Sequence, residues 1–600
     1  MTEPSEVIAS VAAEDNVLEA LRDRAAADGT STALMVCEGD DVSTVSASEM
    51  LGEVRQLAAG LVGAGVQVGD RVAIFSHARI EWAVLDYAIW HAGAVSVTIY
   101  ETSSADQVEW ILRDSGATAA LVENDELATM VESVREAAPA LDRVFTIESD
   151  GLEELRALGA TIDPDELDVR ASTIHHDNPA TLVYTSGTTG RPKGCVLTHL
   201  NLIWTVRQVE ITMPQLVGQG NRTLTFLPLA HILARVVQLT AISAGVPVAF
   251  GGGVRTLLSD LATVKPTWLT VVPRVLEKVH DGAAQKAGTG IKRHIFDLAA
   301  KVARDLGTHK AAGTAPPWPL RLAHKAADAL VFDTLRKAMG GNLQFVISGG
   351  APLNADLARF FGGVGVEVLE GYGLTETTGP ATVHRVGHAK PGTVGPPLAG
   401  VDVVISDAGE ILLAGNLMFD GYWDNEEETA EAFADGFFRT GDYGKIDDDG
   451  HVVITGRMKD LIVTAGGKNI APAVLETKVA AHSLVSQAVV VGDDRPFVAA
   501  LLTLDVQTLG SWASDNDRQV TAPGSLIEEL AEDPDLHAEL QQAVDAANEQ
   551  VSRAEGIRAF RVLRSDFTVA SGELTPTMKV RRANVVANHA DVVESMYERR

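Results

Sequence analysis

The chain has 600 residues, 46% hydrophobic and 22% charged, a balance that excludes a disordered chain and implies more than one domain. Its formal net charge of −32 argues against non-specific nucleic-acid binding, although a local group of cations and backbone N–H donors can still hold an anion. Two cysteines, Cys37 and Cys195, are too few for a disulfide framework or a thiolate metal site.

The N-terminus is acidic, with neither the basic region nor the apolar run of a signal peptide. The longest uncharged run, 236–254, contains Gln238, Thr240, Ser243, Pro247 and four glycines. It reads as a buried strand–turn segment and not as a membrane span. The expectation is a cytoplasmic protein, with peripheral membrane contact and homodimerisation left open.

In chain order, 13–30 carries a capped amphipathic helical pattern, and 46–63 repeats it through Met50, Leu51, Val54, Leu57 and Leu61. Val68-Gly69-Asp70 is a turn into a short buried strand. Residues 81–92 read as helix, 94–99 as strand, 105–115 as helix, and 118–122 and 141–147 as strands. Such alternation indicates an α/β sheet layered by helices. The acidic stretch 148–170 reads as an exterior connection.

A strand-like run, 180–184, then leads into Tyr184-Thr185-Ser186-Gly187-Thr188-Thr189-Gly190-Arg191-Pro192-Lys193-Gly194. Glycines let backbone N–H groups approach an anion, hydroxyls add short donors, and Lys193 adds a mobile positive charge. That mixture suits a polyphosphate better than a plain polar turn. It is not a Walker loop, because neither the second glycine nor the lysine falls at the required spacing, and Pro192 disfavours a helix through this point.

Beyond it, 198–209 reads as a helix, 223–231 as a strand ending in the turn Leu227-Pro228-Leu229-Ala230-His231, and 246–250 as a strand after an apolar helix. Residues 266–274 end a third α/β unit. The segment 280–340 concentrates positive charge and is broken by Gly, Ala and Pro at 311–319. It reads either as a solvated helical excursion or as a basic face near a CoA or membrane entrance. The strand 343–348 leads into Gly349-Gly350-Ala351-Pro352, a side-chain-poor surface on which a purine could stack. A short helix, 354–361, and a strand, 364–369, lead into Glu370-Gly371-Tyr372-Gly373-Leu374-Thr375-Glu376. Residues 390–455 alternate short apolar runs with Gly-Asp turns, as in a small strand-rich subdomain, and contain Thr440-Gly441-Asp442. After Gly456-Arg457 comes a second α/β pattern, with strands at 461–463, 488–491 and 498–504, helices at 472–481 and 535–552, and a terminal glycine–proline loop ending in Lys579.

Most of these motifs follow a strand, where open sheets place ligands. Tyr372 could cover the second face of a purine, Glu376 could hold a divalent ion bridging phosphates, and Asp442 could accept both ribose hydroxyls. Each alone is commonly structural. Six motifs in this order and spacing carry more: 184–194, Ser348-Gly-Gly-Ala-Pro-Leu353, Gly371-Tyr-Gly-Leu-Thr-Glu376, Thr440-Gly-Asp442, Gly456-Arg457 and Thr575-Pro-Thr-Met-Lys579. In these the chain resembles the AMP-forming acyl-CoA synthetases of the adenylate-forming superfamily, from the 70s to the C-terminus. Leu227-Pro-Leu-Ala-His231, Pro273-Arg274-Val-Leu-Glu277-Lys278 and the long 280–340 insertion resemble the long-chain fatty acid–CoA ligase branch. Thr98-Ile-Tyr100-Glu101 departs from the family's proline-bearing turn.

The resemblance implies an α/β fold with a large N-terminal adenylation domain of layered sheets, 1–456, including the strand-rich subdomain at about 390–455. It also implies a smaller mobile α/β C-terminal domain, 457–600, turning about a hinge near Lys459. It implies ATP, Mg2+ and CoA as ligands and a fatty acid as substrate, with no nucleic acid. Thr185, Ser186, Gly187, Thr188, Thr189, Gly190 and Lys193 would face the β/γ-phosphates. Gly350, Ala351, Pro352, Glu370, Gly371 and Tyr372 would frame adenine, and Asp442 and Arg457 would bind ribose. Thr375 would touch the α-phosphate, and Glu376 with Thr185 would hold Mg2+. Lys459 sits at the hinge, within the nucleotide-binding set. His231 would lie by the acyl carboxyl end, or be no more than a packed turn residue, while Gly466 and Gly467 would line the thiol channel. Lys579 would drive acyl-AMP formation, and CoA would then take the acyl group in a second domain arrangement. The alternatives are a fatty acyl-AMP ligase serving a carrier protein and a CoA ligase for a non-fatty carboxylate.

Overall fold

The computed structural model describes residues 7–598 except 40, 186–190, 254, 289, 466–467, 519–524, 550, 554 and 576–578. Two large sheets dominate. The first has seven strands in the order Gly421–Tyr422, Lys193–Thr198, Pro179–Thr185, Val95–Ile99, Arg71–Phe75, Ala119–Val122 and Arg143–Thr146. Its last five strands are parallel, and Lys193–Thr198 turns back antiparallel on Pro179–Thr185. The second has eight strands in the order Gly379–Val383, Glu367–Leu374, Phe345–Ser348, Trp268–Val271, Thr223–Thr225, Val248–Phe250, Thr32–Glu38 and Asp41–Ser46.

One core joins Ile74 and Val183 of the first sheet to Val248 and Leu369 of the second through helices Ile80–His91, His199–Thr212 and Ile232–Ser243. These helices are apolar around most of their circumference, as elements covered on both sides must be. Separate clusters pack helices on the outer face of each sheet, giving a helix–sheet–helix–sheet–helix order. Within the central layer the Arg235 guanidinium is fully buried. It donates to both Asp86 carboxylate oxygens (2.5 and 2.8 Å), to Thr181 Oγ1 and to Ser96 Oγ, and it stands over Trp82 and Trp90. Four of its five N–H donors are used in this way and its charge faces a carboxylate, the condition under which a charge survives in an apolar layer.

A five-stranded sheet holds Asp402–Ile405, Glu410–Ala414, Phe437–Ile446, Phe433–Ala434 and Val452–Arg457, in agreement with the strand-rich pattern of 390–455. Beyond it, Val485–Val491, Val498–Leu504 and Ile557–Val562 form a three-stranded sheet with its own cores on both faces. No described helix is long and apolar enough to cross a membrane.

Several local expectations change. The stretch 148–170 is two helices, Gly151–Gly159 and Pro164–Ser172, and not a bare connection. Gly60, Gly63 and Gly159 let the first of them pack backbone to backbone on Ala47–Gly63; a Cβ on Gly60 would lie 2.3 Å from the Leu155 carbonyl oxygen. The uncharged run 236–254 is the end of a helix, a turn and the strand Val248–Phe250. Only Thr223–Thr225 of 223–231 pairs as strand. The strand expected to end at 369 continues through Leu374, because Gly379–Val383 pairs antiparallel against the Gly-Tyr-Gly stretch. The hairpin Thr32–Glu38 with Asp41–Ser46 closes one edge of the second sheet and carries no signal that separated it from a loop.

Candidate active site

The strands that flank the glycine-rich loop pair antiparallel, with Thr185 and Lys193 as cross-strand partners; the expected contacts Ser186, Gly187, Thr188, Thr189 and Gly190 lie outside the described residues. The base of the hairpin is fixed by aromatic residues. Tyr184 O–H donates to Asp114 (2.7 Å), Trp110 Nε1 donates to the Pro192 carbonyl (2.7 Å), and Arg191 stacks on Trp110. Lys193 pairs with Glu428 (2.7 Å) and lies over the Tyr422 ring, whose O–H donates to Glu376 Oε1 (3.0 Å). Lys193, Tyr422 and Glu376 are therefore contiguous. A cavity of about 280 Å³ beside them is lined by Arg191, Lys193, Tyr422, Glu428 and Lys459 among others.

The strands Phe345–Ser348 and Glu367–Leu374 run parallel side by side and end at this crevice. Gly350 leaves the first with φ +81°, and the exposed Ala351 and Pro352 follow. On the second, Glu370 is buried and its Oε2 has no partner. Burial pushes this carboxyl up to about 8. The Glu370 N–H donates to His384 Nδ1 (3.0 Å). Gly371 backs onto Gly379–Val383, where a Cβ would come 3.1 Å from the Thr382 carbonyl oxygen. Thr375 and Glu376 occupy the turn before Thr378, which adopts φ +49°.

Asp442 and Arg457 face each other as cross-strand partners of the five-stranded sheet. Asp442 accepts from Arg457 Nε (2.7 Å) on one oxygen and from Tyr372 O–H (2.7 Å) on the other. Tyr372 is thus tied to the carboxylate and is not a free ring, and Asp442 keeps its remaining lone pairs for a ligand. Lys459 follows in the single 3-10 turn Met458–Asp460.

Lys579 arrives from the C-terminal unit. Its N–H donates to Thr575 Oγ1 (3.0 Å), and the Thr575 N–H donates to the Lys579 carbonyl (2.8 Å), pinching the ends of the loop together. Leu574, packed with Val585 and Val593, anchors the loop to the small domain's core. Solvent reaches the lysine, yet protein surrounds it on most sides, so it stands in an open crevice. That enclosure pulls its ammonium down to about 8; Arg457 adds to the fall, and Asp442 and Glu376 oppose it. His231 lies on the other side of the crevice. Its Nδ1 accepts the Leu233 N–H (3.1 Å) as the helix cap, and burial, with the Lys579 charge, holds it near 3 and hence neutral. As the cap of this helix His231 is a packed turn residue, and it also neighbours Lys579. Across the same interface Arg274 donates to Ser486 Oγ (3.1 Å) and Gln285 to Thr508 (3.0 Å).

The crevice thus gathers Thr185, Lys193, Gly350, Glu370, Tyr372, Glu376, Asp442, Arg457 and His231 from three sheets and the loops that leave them, with Lys579 from a loop of the C-terminal unit. Gly466 and Gly467 lie outside the described residues. Tyr422, Glu428, His384 and Ser486 take part without having been singled out in the sequence. None belongs to a motif, and each is defined only by what folds against it.

The AMP-binding enzyme model matches residues 21–423, and the AMP-binding enzyme C-terminal domain model matches 459–600. The chain belongs to the AMP-binding enzyme family. This AMP-binding enzyme is 48% identical over 558 residues, 92% of each chain, to the long-chain-fatty-acid–CoA ligase FadD15 of Mycobacterium bovis. It is 30% identical to the long-chain-fatty-acid–CoA ligase ACSBG2 of Xenopus laevis, over 95% of this chain and 82% of that one. It is an AMP-forming acid–CoA ligase: a carboxylic acid is adenylated with ATP and then passed to a thiol. Among solved structures, o-succinylbenzoate CoA synthetase (MenE) of Bacillus subtilis shares the fold with a TM-score of 0.69 at 20% identity, covering 95% of this chain and 98% of that one. The adenylation domain of a Mycobacterium chelonae carboxylate reductase does so at 0.74 and 23%, covering 97% and 91%.

Proposed function

We propose that the enzyme activates a long-chain fatty acid as acyl-AMP with release of pyrophosphate, and then transfers the acyl group to CoA with release of AMP. The observation that carries the adenylation step is Lys579 seated among Asp442, Arg457, Glu376 and His231. The carboxylate nucleophile is already ionised at neutral pH and needs no base. Charge gathers on the α-phosphate and carboxyl oxygens as pyrophosphate leaves, and an ammonium reaching both stabilises that state. Thr375 faces the same phosphate. Lys193, with the 185–190 turn, holds the departing pyrophosphate.

The remaining residues fit a nucleotide and its metal. The orphan Glu370 Oε2 is an acceptor suited to a purine amino group. The side-chain-poor Gly350, Ala351 and Pro352, with Gly371, leave a flat slot for the ring. Asp442, held by Tyr372 and Arg457, has acceptor capacity for ribose hydroxyls. Glu376, with Thr185, would hold Mg2+, whose part is to neutralise phosphate charge.

Support for a long acyl chain comes from one feature besides the relatives' names. Phe345 and Ile347 stay partly solvent-accessible on a strand flanked on both sides within the eight-stranded sheet, facing the inter-sheet core. That leaves apolar surface accessible on the strand that leads to Gly349.

We place the domain break at 457 and the hinge at Lys459. The short turn Met458–Asp460, directly after the last strand of the five-stranded sheet, supports this. Rotation there would withdraw Lys579 and bring 466–467 to the thiol channel. The test is steady-state AMP and pyrophosphate release with acids of graded chain length, with and without CoA. Long acids with CoA should turn over fastest. Acyl-AMP accumulating in the presence of CoA would assign the acyl group to a carrier protein, and preference for an aromatic or short acid would overturn the fatty acid.

A further inference from the structure

Outside the crevice, one surface stands apart. The helix Trp318–Ala327 packs its inner side through Ala327 and through His324, whose Nε2 bonds the Gly363 carbonyl (2.9 Å). Its outer side is left apolar. Trp318 is 74% exposed and Leu322 62%, and Ala326 follows one turn on. Leu330, 65% exposed, extends this surface along the π-turn Asp328–Phe332. Trp318 is the one exposed tryptophan of the chain's eight.

The charge on this surface is equally distinct. The chain has 81 acidic and 49 basic residues, yet 306–327 contains no Asp or Glu. Arg321 and Lys325 sit exposed on the same helix, and neither has a carboxylate within ion-pair distance among the described residues. Trp318, Leu322 and Lys325 recur at helical spacing on one stripe, with Arg321 on its flank. A tryptophan at the entry of a helix, an apolar stripe and long basic side chains able to reach past it make an element that lies in a bilayer interface. A protein of net charge −32 is repelled by an anionic surface as a whole, so an acid-free patch is needed for close approach.

We infer that this helix, with Leu330 of the turn after it, forms the docking face for a bilayer surface containing anionic phospholipid. Docking here does not depend on which acid the active site takes. A second copy docked symmetrically on this face would bring Arg321 and Lys325 of both copies together, whereas phosphate headgroups neutralise them, which favours a lipid surface.

The test uses the full-length enzyme and sedimentation with two vesicle preparations, phosphatidylcholine alone and phosphatidylcholine mixed with phosphatidylglycerol. The enzyme should bind the mixed vesicles and be released by salt. Arg321→Gln with Lys325→Gln should weaken binding about 25-fold, roughly fivefold per cation. Trp318→Ser with Leu322→Ser should weaken it at least about tenfold. Because all four side chains are exposed, both double variants should keep the wild-type Tm and the wild-type adenylation rate on a soluble acid. Equal binding to neutral and mixed vesicles, or wild-type binding by both variants, overturns the proposal. So does a dimer that Trp318→Ser/Leu322→Ser converts to monomer in light scattering while vesicle binding persists, since a second copy would then cover the face.

Discussion

Lys579 and Lys193 are both lysines near phosphates, and their surroundings separate their roles. Lys193 is already paired with Glu428 and lies on an aromatic ring, a binding arrangement. Lys579 has no such pair among the described residues, stands in the open crevice and has its ammonium pulled down to about 8. Lys579→Ala should lower pyrophosphate release from acid and ATP by about 10²–10³-fold while sparing thioester formation from preformed acyl-AMP; equal loss in both half-reactions would contradict the assignment. The sign of the pH effect follows from the depressed value. The charged form exists below about pH 8 and is lost above it, so kcat/KM for ATP in pyrophosphate exchange should fall as pH rises through that range. Lys579→Arg, charged throughout, should be slower and lack that alkaline limb. At Tyr372 the expectation is different. Removing its hydroxyl strips one donor from the buried Asp442 carboxylate, so Tyr372→Phe should raise KM for ATP about tenfold with little change in kcat.

At the scale of elements, the helix Ile232–Ser243 links cap, core and site. His231 caps its start, and one turn later Arg235 ties it to Asp86 on the helix Ile80–His91 and to strand residues Ser96 and Thr181. Arg235→Met leaves Asp86 as an uncompensated buried charge and should destabilise by about 3–5 kcal/mol in urea unfolding. Arg235→Met with Asp86→Leu should recover most of that loss; a double variant as unstable as the single would show that the hydrogen bonds to Ser96 and Thr181 dominate. The glycine-rich hairpin shows a similar division of labour. Its sequence announces phosphate binding, but its orientation is set by Trp110, Asp114 and Trp423, which come from distant segments.

At the scale of the molecule, the two domains meet with Lys579 over the adenylation crevice. Arg274 reaches Ser486, which donates to Asp566 (2.6 Å), so one hydroxyl links the large domain to the small domain's sheet. Ser486→Ala should weaken this arrangement by about 1 kcal/mol. Adenylation should slow roughly fivefold while the thioester half-reaction keeps its rate, as stopped-flow measurement of each half would read; equal slowing would mean the contact serves both arrangements.

The sequence by itself determined the alternating α/β pattern, the strand-rich segment and the six motifs that placed the chain in its family, because these depend on local periodicity and on residue types whose chemistry is explicit. Even there, the acidic composition of 148–170 hid its two helices, since a charged stretch reads as an exterior connection until its packing partner is known. Only the tertiary structure decided that Asp442 is held by both Tyr372 and Arg457, that His231 is at once a helix cap and a neutral neighbour of Lys579, and that Tyr422 bridges Lys193 to Glu376. The physical reason is common to all three. A carboxylate's partners, a histidine's charge and a lysine's proton affinity are set by groups on other elements of the chain, which come within a few ångströms only when the sheets are assembled.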